Sequence, residues 1–251
     1  MKDHGGPLET LARVCRQAGM DLFPSLRMNQ HYEVEPESPR ASRMRRANPE
    51  WLIGFANGES TPGSMEWSIR TGLNFAVPEV RAYLESIICE LFECFEVAGV
   101  ELDFMRHPGY FRIDEAYSSR YLITDLLRRV RARMDAVGRK KGRRVELAVR
   151  VPETLDAAVR IGLDVAPWIE EKLVDMVVVG GGFVPFGMNI EEFVEVGRGS
   201  ACRVYGCMEA MRPAAADEVI AAIASRIWHS GADGIYLFNY HGRSAQWKRR
   251  I

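Results

Sequence analysis

The chain has little of what marks several large classes of function. No stretch reaches the roughly 20 consecutive apolar residues needed to cross a bilayer, so no membrane partner is expected. Neither sign of charge is in excess: 33 Lys and Arg against 34 Asp and Glu leave a formal net charge of -1. That balance gives no electrostatic reason to expect nucleic acid or an anionic surface. Local arginine runs, "RASRMRR" (40–46), "RRVRAR" (128–133) and "GRKKGRR" (138–144), read as solvated faces rather than phosphate patches. Cysteine is sparse, five in all (Cys15, Cys89, Cys94, Cys202, Cys207). They make no CxxC or Cys/His spacing, so no metal is implied, and an odd, scattered set argues against a disulfide framework. The first residues, "MKDHGGPLETLARVC", lack the apolar core of a secretory signal, which makes cytoplasm the default expectation. With no linker or low-complexity tract, residues 1–251 read as a single domain.

What the chain does have is alternation. A helix over about 7–19 leads into "DLFPSLRMNQHY" (21–32). After a long polar connection Pro78 opens a second helix, with Val80, Leu84, Ile87, Ile88, Leu91 and Phe95 on one face at the helical period. Gly99 ends it, and "GVELDFMRHP" (99–108) follows as a strand. A helix over 115–136 precedes "VELAVRVPE" (145–153), and a shorter one precedes "LVDMVVVGGGF" (173–183). Helices near 189–197 and 214–230 separate "CRVYGCMEA" (202–210) from "GADGIYLFNY" (231–240). Such alternation predicts parallel pairing.

An open doubly wound sheet would show near-continuous apolar strands and a glycine-rich first turn. Here polar residues gather toward the carboxyl ends of the strands, as a barrel requires for a site built there. The reading is therefore α/β, a (β/α) TIM-type barrel. About six strands are found where a closed barrel has eight. Either "WLIGFA" (51–56) supplies an irregular strand, or the chain is most of a barrel lacking its first strands, and the second reading is favoured. A second copy or an absent segment would then complete the barrel, and the compartment stays open.

Side chains alternate across a strand, so Glu101 and Asp103 share one face and Leu102 and Phe104 the other. Two carboxylates placed together in a barrel push one pKa up, and a pair with separated pKa values can divide acid and base roles. The plainer alternative makes either one the ion-pair partner of Arg106, Arg27 or Arg150. The other strand ends favour a site: Ser25, Arg27, Asn29 and His31 share a face, as do Ala148 and Arg150, and Tyr205, Cys207 and Glu209, while Asn239 closes "YLFN". Gly180–Gly182 reads as a tight turn rather than a phosphate loop. His31 and His107 lack metal-ligand spacing. Trp168 reads as core, whereas Trp51 and Trp67 flank the long loop.

"NPEWLIG" (48–54), "LNFAVPEVRAYLESIICELFE" (73–93) and "AGVELDFMRHPGYF" (98–111) together resemble the family-10-like glycosyl hydrolases, barrel proteins distinct from the true family-10 xylanases. The matching positions are Pro49, Glu50, Trp51, Pro78, Glu79, Val80, Arg81, Gly99, Asp103, Phe104, Arg106 and Pro108; Ala98 stands where the pattern often has Asp. The resemblance implies a glycan-cleaving barrel and carries Asp103 over as a site residue, whereas Glu101 and Glu209 come from strand phase. The expected chemistry is glycosidic hydrolysis by paired carboxyl groups: Asp103 or Glu101 as acid, Glu209 as nucleophile or base. Arg27, Asn29, His31, Arg106, Arg150 and Asn239 would contact the glycan or oligosaccharide, and Trp51 would stack on a ring. No metal or organic cofactor is implied. Two alternatives stand beside this: a non-catalytic carbohydrate-binding or inactive barrel, and a sugar-phosphate or flavin barrel enzyme using Gly180–Gly182.

Overall fold

The computed structural model describes residues 5–29, 42–55, 61–181, 187–209 and 217–239. Helix α1 (Pro7–Gln17) precedes strand β1 (Ser25–Arg27); the connection to the next strand holds α2 (Arg43–Ala47), a 3₁₀ turn (Pro49–Trp51), α3 (Met65–Ile69) and α4 (Pro78–Glu93). Then come β2 (Gly99–Asp103), α5 (Ala116–Ser119), α6 (Tyr121–Lys141) and β3 (Glu146–Val151). The rest runs α7 (Leu155–Arg160), α8 (Val165–Glu170), β4 (Met176–Val179), α9 (Ile190–Gly197), β5 (Arg203–Glu209), α10 (Asp217–His229) and β6 (Gly234–Phe238).

All described strand pairs are parallel, in the order β1-β2-β3-β4-β5-β6. The sheet is strongly curled. The Tyr236 hydroxyl of β6 reaches the Glu101 carboxylate of β2, 3.1 Å away across the concave face, and no flat sheet lets strands four places apart touch. The described residues thus form a curled sheet of six parallel strands with helices outside, the arrangement of part of a TIM-type barrel. The described part of "WLIGFA", residues 51–55, adds no strand to it: Trp51 lies in the 3₁₀ turn and Leu52 makes an isolated antiparallel bridge to Leu73. No described helix is long and apolar enough to cross a membrane.

Local sequence accounts for the elements that hold the concave face in place. In α4, Pro78 and Glu79 suit the first turn, and Val80, Leu84, Ile88 and Phe92 bury one stripe at four-residue spacing. Helix α6 ends where Gly142 takes a left-handed conformation, φ 65°. Gly99 is demanded by close approach: a Cβ there would lie 2.3 Å from both the Glu146 carbonyl oxygen and the Phe23 ring. Leu102 and Phe104 are buried on the convex face, where Phe104 packs on Trp168 with ring centroids 5.6 Å apart. Trp168 in turn donates from Nε1 to Thr124 Oγ1, 2.9 Å away.

Candidate active site

With Leu102 and Phe104 turned outward, Glu101 and Asp103 face the concave side, where Ser25, Tyr236 and Arg150 bond to them and Cys207 and Phe238 meet Arg150. The two carboxyl groups are buried, Glu101 6% and Asp103 3% exposed, but their surroundings differ. One Asp103 oxygen accepts from Arg150 Nη2 at 2.8 Å, and the other from the Met105 backbone N–H at 2.9 Å. Arg150, 1% exposed, lies between that carboxylate and the face of Phe238, its guanidinium carbon 4.0 Å from the ring centroid. Burial works against the guanidinium charge, but the hydrogen bond and charge of Asp103 outweigh it and Arg150 titrates above its usual range.

Glu101 has no such cation against it. Ser25 Oγ at 3.0 Å and Tyr236 Oη at 3.1 Å both donate to the same oxygen, Oε1. Burial raises the Glu101 pKa; the Ser25 hydrogen bond opposes this, and the Asp103 charge adds to it. Glu101 therefore holds a proton more readily than an ordinary glutamate does. Tyr236 is pushed well above its usual range by burial and by Glu101, so it stays a neutral donor. Burial also lifts the Cys207 thiol to about 12, which removes it as a nucleophile. Ser25 and Arg27 are exposed, so solvent reaches the concave face along β1.

The loop after β2 is rigidly seated. The Tyr110 hydroxyl donates to the Phe104 carbonyl, and the Phe75 N–H donates to the Tyr110 carbonyl at 2.7 Å. Phe75, Phe104 and Tyr110 meet edge to face beneath it. Arg106 and His107 ride on this loop at the carboxyl end of β2.

No protein-family profile and no curated protein matches the chain. Among solved structures, the glycoside hydrolase domain of a PelA variant from Pseudomonas aeruginosa aligns with a TM-score of 0.58 at 14% identity, over 93% of this chain and 85% of that one. The PgaB (BpsB) glycoside hydrolase domain from Bordetella bronchiseptica gives 0.52 at 12%, over 90% and 72%. An α-galactosidase from Thermus thermophilus gives 0.56 at 13%, over 97% and 48%. The chain spans only 30% to 57% of the length of several other glycoside hydrolases that it matches. The likeness is one of fold. The chain shares its fold with these glycoside hydrolase domains.

The structure places the other expected site residues unequally. Arg27 ends β1 in register with Asp103, itself in register with Arg150, so these three stand side by side at one level of the sheet. Asn29 departs from the expectation. The strand stops at Arg27, the two-residue alternation stops with it, and the Asn29 amide instead ties two loops together. It donates to the Leu73 and Gly109 carbonyls at 2.9 and 2.6 Å and accepts from the Leu73 N–H at 2.9 Å. Trp51 is half-buried against the core. Glu209 closes β5 in register with Phe238, its side chain outside the described residues. Asn239 follows β6 with φ 53°. His31 lies outside the described residues, as does Gly182. Gly181 donates its N–H to Glu153 Oε1 at 3.1 Å, so a carboxylate already occupies a donor that a phosphate would need. Among the described residues no group of three or more His, Cys, Asp or Glu is placed to hold a metal.

Tyr236 and Phe238 are the site residues that sequence reading overlooked. Their signal was present, since both lie in phase on "GIYLF". An aromatic in mid-strand, however, reads first as packing.

Proposed function

We propose that this chain hydrolyses glycosidic bonds in an oligosaccharide or polysaccharide, with Glu101 as general acid. The observation that carries this is the unequal pair on the concave face: Asp103 held by Arg150, and Glu101 held by two neutral hydroxyls with its pKa raised. Glycosidic cleavage needs two carboxyl groups in different roles, and a raised pKa suits Glu101 to the role of acid. Glu101 would protonate the leaving oxygen. As it becomes a carboxylate, the donors already aimed at Oε1 from Ser25 and Tyr236 stabilise the new charge without reorganising.

Asp103, fixed by Arg150 and the Met105 N–H, supplies negative charge beside the cationic sugar carbon of the transition state. Glu209, from its place at the end of β5, is assigned as nucleophile or base. Arg27, Arg106 and Asn239 are assigned to sugar hydroxyls and Trp51 to a ring face, while Asn29 acts by positioning the two loops it ties. The motif at 48–111 narrows the reading to the family-10-like glycosyl hydrolases.

The test is release of reducing ends from a panel of polysaccharides and aryl glycosides. Glu101→Gln, which keeps the shape and neutrality of the protonated acid, should fold and lose roughly 10²–10⁴-fold in turnover. Cleavage at the parent rate would end the assignment. One observation favours a second reading, a barrel that binds glycans without cutting them: both carboxyl groups are almost closed off, at 6% and 3% exposure. Saturable glycan binding without reducing-end release in any substrate would select it.

A further inference from the structure

Arginines at the mouth of the concave face differ from those elsewhere in the chain. Along the outer helices and at the turn before α6, Arg120, Arg128, Arg129 and Arg133 each sit against a carboxylate. At the carboxyl ends of β1 and β2 the pattern breaks. Arg27 is exposed and meets no carboxylate among the described residues. Arg106, on the seated loop after β2, keeps a buried Nε without a hydrogen-bond partner. Arg45 of α2 leans on the loop after β1, its Nη2 donating to Asn29 Oδ1 at 3.4 Å; burial pushes its guanidinium below the usual range, and it pairs with no carboxylate among the described residues. Its neighbours Arg43 and Arg46 are exposed and α2 has no acidic residue in its first turn. Asp103 does not compensate these cations, because Arg150 already holds it.

Arginines that pair with no carboxylate among the described residues, one of them with an unsatisfied buried donor, are what a bound oxyanion would complete. We propose that the sugar unit bound at the carboxyl ends of β1 and β2 carries an acidic group, a uronate carboxylate or a sulfate ester, held by Arg27 and Arg106. This names the substrate class of the glycan site proposed above and rests on that reading.

The experiment measures binding by calorimetry for a panel of oligouronides, each beside its carboxyl-reduced neutral counterpart, with sulfated oligosaccharides as a further arm. The acidic form, carboxylate or sulfate, should bind at least about tenfold tighter than the neutral form, the factor one charge-assisted hydrogen bond supplies. Arg27→Met or Arg106→Met should remove most of that preference. Arg160→Met, an equal charge change on the outer surface, should leave it whole. Preference for uronate or for sulfate identifies which oxyanion is held, and either supports the proposal. Equal binding of acidic and neutral forms overturns it, as does a preference that survives both mouth substitutions. Turnover is read separately. Acidic glycans bound but never cleaved overturn hydrolysis and leave acid recognition standing, whereas indiscriminate cleavage of neutral and acidic glycans does the reverse.

Discussion

The outer helices and the concave face use the same residue type in opposite ways. Outside, arginines of α6 stitch neighbouring helices: Arg129 to Glu85 and Arg133 to Glu93 on α4, and Arg128 to Glu171 just past α8. Those pairs are solvated and screened, so each one contributes little. On the concave face the Asp103–Arg150 pair is shut away from water. There the interaction and the penalty for breaking it are both large. At the rim between them lie arginines that meet no carboxylate among the described residues. The lesson is that charge on the outside adds little to what packing already holds together, whereas charge inside carries a large penalty when broken, and charge at the rim is the part the proposal assigns to a ligand.

The strongest way to break this comparison is Arg150→Met. It leaves Asp103 buried without its cation and should lower stability by about 3–5 kcal/mol, read from urea denaturation. Combining it with Asp103→Asn should restore part of the loss, because the stranded charge is then gone. A loss under about 1 kcal/mol would mean that the pair behaves like those on the surface.

The next effect is a slope with pH. Glu101 titrates above its ordinary range in the folded chain because of burial. The folded state therefore keeps a proton that the unfolded chain releases, and stability from this group is full at low pH and falls as pH rises through the folded pKa. Glu101→Gln removes that fall. Its stability relative to the parent should climb with pH between the ordinary glutamate range and the raised value, measured by urea denaturation across a pH series. A constant difference would place Glu101 in a wetter setting than its partners Ser25 and Tyr236 imply.

Much of this was legible in the chain, for a physical reason. A strand with one face toward helices must alternate, so the outward phase of Leu102 and Phe104 fixed the inward phase of Glu101 and Asp103. Gly99 marked the strand start because a side chain cannot fit there. The sequence could not choose among Arg27, Arg106 and Arg150 as partner for a carboxylate. That choice depends on how the strands register and curl, and register pairs Asp103 with both Arg27 and Arg150 while only Arg150 makes the ion pair. The Tyr236–Glu101 contact was hidden for the same reason, since it spans four strands and exists only because the sheet curls. Asn29 misled by lying just beyond the point where alternation ends.

The smallest effects sharpen the comparison most. Arg129→Met, which opens an exposed pair with Glu85, should cost less than about 1 kcal/mol. Arg27→Met should stay within about 0.5 kcal/mol of the parent, since Arg27 is exposed and meets no carboxylate among the described residues. Both are surface arginines of this chain, and denaturation alone will barely separate them. Ligand does: only Arg27→Met should weaken binding of acidic sugars, and only Arg129→Met should respond to added salt in its stability difference, as screening removes the pair it deleted. If Arg27→Met instead destabilises the chain by 2 kcal/mol or so, beyond the usual range for surface positions, the residue has a folded-state partner. The rim would then belong with the stitched outer helices rather than with the site.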